Sequence, residues 1–215
     1  MKGLFEVHLI TTPEYQTQLF GFITNLNDKR LIRPRPTCAH ALYGDYPVQP
    51  MLTFWLNGNI EDVKSIVYEV EDELRKIVPI IRTKIEAMAH NQGVPTICTK
   101  DHYFEYHFKV LITSTADWNR LVQLITPYGA HLFYNPYNKS LQPIVTIRTY
   151  TSLDYLDEIY QDVIKVLEEN QFTHHELEKE YSVYDSDVHL DKNWLFTEKE
   201  NNFITTVDKK MLFSF

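Results

Sequence analysis

The sequence predicts an α+β fold made of two ferredoxin-like modules in tandem, each with the element order strand, helix, strand, strand, helix, strand. Three observations predict it. The chain passes twice through that order of hydrophobic patterns. Residues 5–9 (Phe-Glu-Val-His-Leu) recur as residues 104–108 (Phe-Glu-Tyr-His-Phe). Residues 39–53 and 130–146 also match, since both contain Ala-His-x-x-Tyr followed by Gln-Pro-x-x-Thr. We therefore expect an internal duplication.

The predicted domain limits follow from this repeat. Module 1 covers residues 1–89, a linker covers 90–101 and module 2 covers 102–185. Residues 186–215 have no counterpart in the first half and form a C-terminal extension. We expect this extension to dock on the body, because it is rich in large aromatic side chains, which are Trp194, Phe196, Phe203, Phe213 and Phe215.

The first module begins with a strand over residues 4–11, where apolar and polar residues alternate. Thr12 and Pro13 predict the start of a helix, because threonine caps free backbone amides and proline suits the first helical turn. The extended segments 29–37 and 51–56 predict two strands joined by a long loop.

The module ends with a helix and a strand, and the second module repeats the order. Asn59 and Asp62 open the helix, and residues 81–86 alternate as a strand. The elements predicted for the second module are a strand at 103–111, a helix capped by Ser114 with Asp117 three residues on, a hairpin-like region ending at 144–149, a helix over 156–167 and a strand over 177–184.

Strand periodicity places many charged residues on the sheet faces that the helices leave open, because successive side chains point to opposite faces. We expect the two open faces to form a shared charged cleft. The residues predicted to face it are Glu6, His8, Thr53, Trp55, Arg82, Lys84 and Glu86 from module 1, and Glu105, His107, Lys109, Thr146, Arg148, Glu178 and Glu180 from module 2.

Composition restricts the function classes. A net charge of −8 argues against an extended nucleic-acid surface or binding to anionic membranes. No apolar run approaches the roughly 20 residues of a membrane-spanning helix, and no signal peptide is visible, so we expect a cytoplasmic protein. Cys38 and Cys98 lack the spacing of a zinc or disulfide site.

The first functional hypothesis uses His8 and His107 as a pseudo-symmetric acid and base. This layout is similar to the two-histidine phosphoesterases, which carry one catalytic histidine per lobe. The resemblance implies hydrolysis of a phosphoester or phosphoanhydride in an anionic small molecule or nucleotide. The anion would be held by Arg82, Lys84, Lys109 and Arg148, and the histidines would be oriented, or a divalent metal held, by Glu6, Glu86, Glu105 and Glu180.

Three alternatives stay open. Alternating Glu, Lys and Arg resembles the triphosphate-tunnel enzymes, with residues 176–180 (Glu-Leu-Glu-Lys-Glu) as the nearest run. A site of two histidines and two carboxylates resembles the glyoxalase-type metalloenzymes, with His8, Glu86, His107 and Glu180 as ligands. A noncatalytic protein could instead sequester an anionic ligand or mediate assembly. Asp185, Asp187 and Asp191 resemble a calcium loop, but the required glycine and glutamate are absent.

Overall fold

The structure, a computed structural model, describes residues 1–41, 44–137, 142–192 and 194. Within these residues the chain has a mixed α+β fold with eight antiparallel strands and four α-helices. The strands are β1 (Lys2–Ile10), β2 (Ile32–Ala41), β3 (Val48–Asn59), β4 (Arg82–Met88), β5 (Tyr103–Val110), β6 (His131–Tyr134), β7 (Ile144–Thr149) and β8 (His174–Asp185). The helices are α1 (Gln16–Asn25), α2 (Ile60–Arg75), α3 (Thr115–Ile125) and α4 (Leu153–Glu169).

The eight strands form one closed barrel in the order β1-β3-β2-β6-β7-β5-β8-β4. Its two quartets, β4-β1-β3-β2 and β8-β5-β7-β6, have the same internal order. The quartets join where β2 pairs with β6 and where β4 pairs with β8. The prediction of two separate open sheets that face a shared cleft is therefore wrong, because the strands form one closed barrel. Pairing of the edge strands satisfies their backbone groups, and it converts the two open faces into the interior of one barrel.

The main hydrophobic core lies between the barrel and the helices. Phe5, Val7 and Leu9 of β1 are fully buried on this outer face, as their alternation predicted. Helix α2 contributes apolar residues at helical spacing to the same core, and α4 does the same; they are Val63, Val67, Val70 and Leu74, and Leu156, Val163, Ile164 and Leu167. The opposite face of β1 carries Glu6 and His8 into the barrel.

Two predicted helix caps are confirmed. The Asn59 side chain accepts hydrogen bonds from the backbone amides of Glu61 and Asp62 at 3.1 and 3.0 Å, and the Ser114 hydroxyl accepts one from Asp117 at 3.1 Å.

Two local predictions are wrong. The Thr12 hydroxyl makes no capping hydrogen bond, and a 3-10 turn, Pro13–Tyr15, precedes α1. The predicted long loop between the second and third strands is short, because β2 and β3 extend toward each other to Ala41 and Val48.

We expect Asn59→Ala to lower the free energy of unfolding by about 1 kcal/mol, because two backbone amides of the first turn of α2 lose their acceptor. Urea denaturation measures this change. Asp72→Ala, on the exposed face of the same helix, is the matched control and should stay within about 0.5 kcal/mol. Equal effects of the two substitutions would show that the cap contributes nothing specific.

The beginning of the C-terminal extension lies on the barrel. Leu190 and Trp194 are buried, and the Gln49 amide donates to the Leu190 carbonyl at 3.3 Å. The extension's other predicted docking residues, Phe196, Phe203, Phe213 and Phe215, lie outside the described residues. In the described part of the chain, no helix combines the length and the apolar character needed to cross a membrane.

Candidate functional site

The barrel encloses a cavity of about 530 Å³. Of the residues predicted to face the shared cleft, all but Trp55 line it. Trp55 lies instead under the guanidinium of Arg35, whose Cζ is 4.7 Å from the ring centroid. Because side chains alternate along a strand, the predicted site residues from both halves of the chain, including His8 and His107, line this one cavity.

The two histidines are held in the same way. The Nδ1 atom of His8 is hydrogen-bonded to the hydroxyl of Thr53 at 3.0 Å, and that of His107 to the hydroxyl of Thr146 at 2.7 Å. Each threonine is the direct cross-strand partner of its histidine in the β-ladder. This bond fixes the ring orientation and leaves Nε2 of each histidine directed at the carboxylates.

The Nε2 atoms meet buried carboxylates. His8 Nε2 lies 3.4 Å from Oε2 of Glu86. His107 Nε2 lies 3.3 Å from Oε2 of Glu180 and 3.6 Å from Oε2 of Glu105. One oxygen each of Glu86 and Glu105 and one nitrogen of His107 lie within 4.8 Å of one another. Both histidines thus contact the same carboxylate cluster.

The ladder also sets carboxylates against each other in both halves. Glu6 on β1 is directly opposite Glu86 on β4, and Glu105 on β5 is directly opposite Glu180 on β8. Like charges at such positions are destabilising. All four side chains are at most 6% exposed, so water screens the repulsion little. Each pair needs a proton or a cation between or beside its members.

The cations predicted to hold an anion are engaged by carboxylates. Lys84 Nζ lies 2.7 Å from Glu86 and also contacts Glu105. Arg148 binds Glu105 at 2.6 Å and Asp191 at 2.5 Å.

The other two predicted anion-binding cations are engaged in the same way. Arg82 binds Asp185 at 2.6 Å and Asp191 at 2.7 Å. Lys109 pairs with Glu176 on a more exposed part of the wall.

The buried charges do not balance. Among the described residues, six largely buried carboxyl groups face three buried cations, which leaves three negative charges in excess if every carboxyl group is ionised. The carboxyl groups are those of Glu6, Glu86, Glu105, Glu180, Asp185 and Asp191, and the cations are Arg82, Lys84 and Arg148.

In the metal-free protein, protons compensate for this excess. Burial and the nearby Glu180 raise the pKa of Glu6 well above its ordinary value, and burial and Glu86 raise the pKa of Glu180. Burial alone would lower the pKa of His107, but Glu105 and Glu180 outweigh it and raise that pKa well above its ordinary value. The interior therefore retains protons that water would remove from exposed groups.

Glu86 and Glu105 behave in the opposite way. Burial opposes their ionisation, but Lys84 and His8 lower the pKa of Glu86, and Arg148 and Lys84 lower the pKa of Glu105 well below its ordinary value. Both stay ionised. Oε1 of Glu86 lies 2.7 Å from Lys84 Nζ and Oε2 lies 3.4 Å from His8 Nε2, so both oxygens already have a neighbour, whereas Oε1 of Glu180 makes no hydrogen bond. A carboxylate oxygen can accept more than one partner, so these groups can also ligate a cation.

Sequence reasoning missed four site residues. Asp185 and Asp191, set aside with the apparent calcium loop, form the ion pairs with Arg82, and Asp185 also accepts a 2.6 Å hydrogen bond from Tyr103. His131 and Trp194 line the cavity, with ring centroids 5.7 Å apart. The only signal for Asp191 and Trp194 was the polar and aromatic character of the extension, since neither has a counterpart in module 1.

Comparisons with known proteins identify no family for this chain. No family model matches the sequence, and no curated protein does. Among solved structures, one match is a candidate monooxygenase from Fusobacterium nucleatum subsp. nucleatum ATCC 25586, with 7% identity over 86% of this chain and 94% of that chain and a TM-score of 0.31. Another is a candidate chlorite dismutase, with 7% identity, 86% and 96% coverage and a TM-score of 0.30. These TM-scores are too low to carry an activity to this chain.

The predicted phosphoester or phosphoanhydride hydrolase is wrong. The interior gives the physical reason. Arg82, Lys84, Lys109 and Arg148 are all paired with carboxylates, and the buried acids outnumber the buried cations, so the site repels the anionic substrate or nucleotide that the hypothesis required.

Proposed function

We propose that the barrel interior binds one divalent transition-metal ion and that the protein is a metal-dependent enzyme acting on a small molecule in the cavity. The proposed ligands are Nε2 of His8 and His107 and carboxylate oxygens of Glu86, Glu105 and Glu180. One observation carries the proposal: both Nε2 atoms converge on buried carboxylates, while a threonine hydroxyl holds each Nδ1. Histidines that ligate metals are anchored through their second nitrogen in this manner.

The donor set selects a class of ion. Mixed imidazole and carboxylate ligands suit zinc, iron, manganese and nickel better than calcium or magnesium, which prefer oxygen ligands alone. A dication would also replace protons as compensation for the excess negative charge. It would relieve the repulsion between the carboxylates that the ladder places opposite each other, in particular Glu105 and Glu180.

Lys84 and Arg148 have a definite part in this site. They are the groups that keep Glu105 ionised, as Lys84 and His8 do for Glu86. A ligand that is already ionised accepts a metal without first losing a proton. Glu180 and His107, in contrast, must release protons when the ion binds, so metal affinity should rise with pH.

The chemistry follows from the surroundings of the ion. A metal in this position would act as a Lewis acid on an oxygen of a bound molecule or lower the pKa of a coordinated water. The cavity of about 530 Å³ falls within the roughly 300–1,000 Å³ of small-molecule sites, so a substrate and the ion can both fit.

Metal titration tests the proposal. Chelator-treated protein is titrated with Mn²⁺, Ni²⁺ and Zn²⁺ by calorimetry, and bound metal is measured by elemental analysis. We expect one ion per chain, and His107→Ala should weaken binding by more than about tenfold because a ligand is lost. His175→Ala is the matched control, since this histidine is 39% exposed and bonds to Gln142.

A second variant separates ligation from folding. Thr146→Val replaces the hydroxyl that holds His107 Nδ1 with a methyl group and should weaken binding by about tenfold while the protein stays folded, which circular dichroism checks. Binding that is absent from the wild type, or equally strong in His107→Ala and His175→Ala, would refute the metal site.

We also propose that the two halves arose by internal duplication. Support comes from the identical strand order of the quartets and from the equivalent pairs His8 with Thr53 and His107 with Thr146. If the halves are duplicates, the metal would lie between His8 and His107, which descend from the same ancestral histidine.

A further inference from the structure

The cavity has two chemically different walls. The carboxylate cluster is concentrated on β4, β5 and β8, which are neighbours in the barrel. The opposite wall comes from β3, β2, β6 and the adjoining ends of β1 and β7, with the C-terminal extension beside it. Its apolar lining is Ile10, Ala39, Met51, Phe133, Ile144 and Trp194, and the polar residues Arg35, Thr37, Gln49, Thr53 and His131 of the same strands line the cavity beside them. We call it the apolar wall.

The apolar wall is distinct from the main core. Ile10, Ala39, Met51 and Trp194 form a separate buried cluster, against which Phe133 packs, while the main core lies outside the barrel. Protein interiors rarely leave voids larger than a water molecule. A cavity of about 530 Å³ beside an ordered apolar cluster is therefore space that the packing leaves for something other than side chains.

Two polar atoms beside this wall lack partners. The His131 side chain is 5% exposed and lines the cavity, and its Nδ1 makes no hydrogen bond. Thr37 also lines the cavity, and its buried hydroxyl makes none. Buried polar atoms are nearly always hydrogen-bonded, because an unpaired one costs on the order of 1–3 kcal/mol. A ligand group that hydrogen-bonds to either atom would remove this cost.

We propose that the apolar wall binds an uncharged, mainly apolar organic molecule, such as a fused-ring alcohol or phenol, whose hydroxyl or carbonyl group hydrogen-bonds to His131 Nδ1 or Thr37 Oγ1. Apolar pockets with a few convergent polar groups are the usual form of small-molecule sites. The inference goes beyond the cation site and requires no metal, because none of the proposed metal ligands belongs to the apolar wall.

The charge of the ligand follows from the opposite wall. An anion would add to the excess of buried carboxylates and would find Arg82, Lys84 and Arg148 already paired. Arg35 also lines the cavity, but it is exposed to solvent and lies over the ring of Trp55. A cation would be drawn to the carboxylate cluster rather than to the apolar wall. Only a neutral molecule satisfies both walls.

Three naphthalene derivatives of similar shape test this assignment: 2-naphthol, 2-naphthoate and 2-naphthylmethylamine, which are neutral, anionic and cationic at pH 7. Binding is measured by calorimetry and by ligand-observed NMR in the presence of a chelator. We expect 2-naphthol to bind at least about tenfold more tightly than 2-naphthoate, a difference of about 1.4 kcal/mol. Tightest binding of the amine would assign the cavity to the carboxylates instead, and it would refute the proposal, as would equal binding or the absence of binding.

Variants locate the bound probe. Phe133→Ala should weaken 2-naphthol about tenfold through lost apolar contact, whereas Tyr155→Ala, on an exposed part of α4, should not change it. Ala39→Leu keeps the wall apolar but fills cavity space, so it should abolish binding even if Phe133→Ala fails to fold. Unchanged binding in Ala39→Leu would place the probe elsewhere. Because the chelator removes any metal, these results are independent of the metal titration.

Discussion

Replacing Arg148 with methionine is expected to lower the free energy of unfolding by about 3 kcal/mol. The guanidinium is almost fully buried, binds Glu105 at 2.6 Å and Asp191 at 2.5 Å, and lies over the ring of Tyr103 at 4.2 Å. Its loss removes one buried cation from an interior that already has too few. The expected value is at the lower end of the range for broken buried ion pairs, because Lys84 still contacts Glu105 and Arg82 still contacts Asp191.

Chemical denaturation measures this change, with Lys109→Met as the matched control. Lys109 also pairs with a glutamate, but its side chain and that of Glu176 are 25% and 59% exposed, so the control should change stability by less than about 1 kcal/mol. The double substitution Arg148→Met with Asp191→Asn should recover part of the loss, since it removes a carboxylate that Arg148 compensates. Equal effects of Arg148→Met and Lys109→Met would contradict the electrostatic account of the interior.

The partners of Arg148 show what the sequence could and could not predict. Strand alternation predicted which side chains face inward, and His8, Glu86, His107 and Glu180 indeed line one cavity. Periodicity is a local property, so it can be read without knowing the fold. It does not say which strands pair between the two halves of the chain. The pairings β2–β6 and β4–β8, which close the barrel, were therefore missed.

The same limit explains the failure of the hydrolase hypothesis. Lys84 and Arg148 were predicted to hold an anion, but each is paired with carboxylates. Some of these partners are local, since Glu86 is two residues from Lys84 on β4 and Glu105 is directly opposite Arg148 in the ladder. Another crosses the junction between the quartets, since Lys84 on β4 also contacts Glu105 on β5. Asp191, which binds Arg148, belongs to the extension and had no repeat to reveal it. The part of the charge compensation that Glu105 and Asp191 supply across the barrel depends on long-range pairing, which no local pattern contains.

A second large effect is expected from pH and depends on His131. Burial, and secondarily Arg148, lowers the pKa of His131 to about 4 from an ordinary value of 6.5. The folded state therefore keeps the ring neutral at a pH where the unfolded chain binds a proton. Because the folded pKa is depressed, this contribution to stability is complete above about pH 6.5 and is lost as the pH falls toward 4. The gap between the two values corresponds to about 3 kcal/mol.

His131→Phe removes the titrating group and keeps an aromatic ring of similar size beside Trp194. Between pH 7 and pH 4, the wild type should therefore lose about 3 kcal/mol more stability than His131→Phe, measured by urea denaturation at several pH values. His90→Phe, at an exposed histidine, is the control for replacing a histidine with phenylalanine.

The informative quantity is the difference in free energy of unfolding between the wild type and His131→Phe at each pH. The pH dependence of the wild type alone does not isolate His131. Glu6 and Glu180 have raised pKa values, so their protonation favours the folded state as the pH falls, which opposes the effect of His131. His107 also has a raised pKa and acts in the same direction, whereas Glu86 and Glu105 have lowered pKa values and lose their contribution as the pH falls. These groups are present in His131→Phe as well, so the difference between the two proteins isolates His131. Parallel curves for the two proteins would mean that His131 can accept a proton in the folded state, and that the cavity around it is open to water.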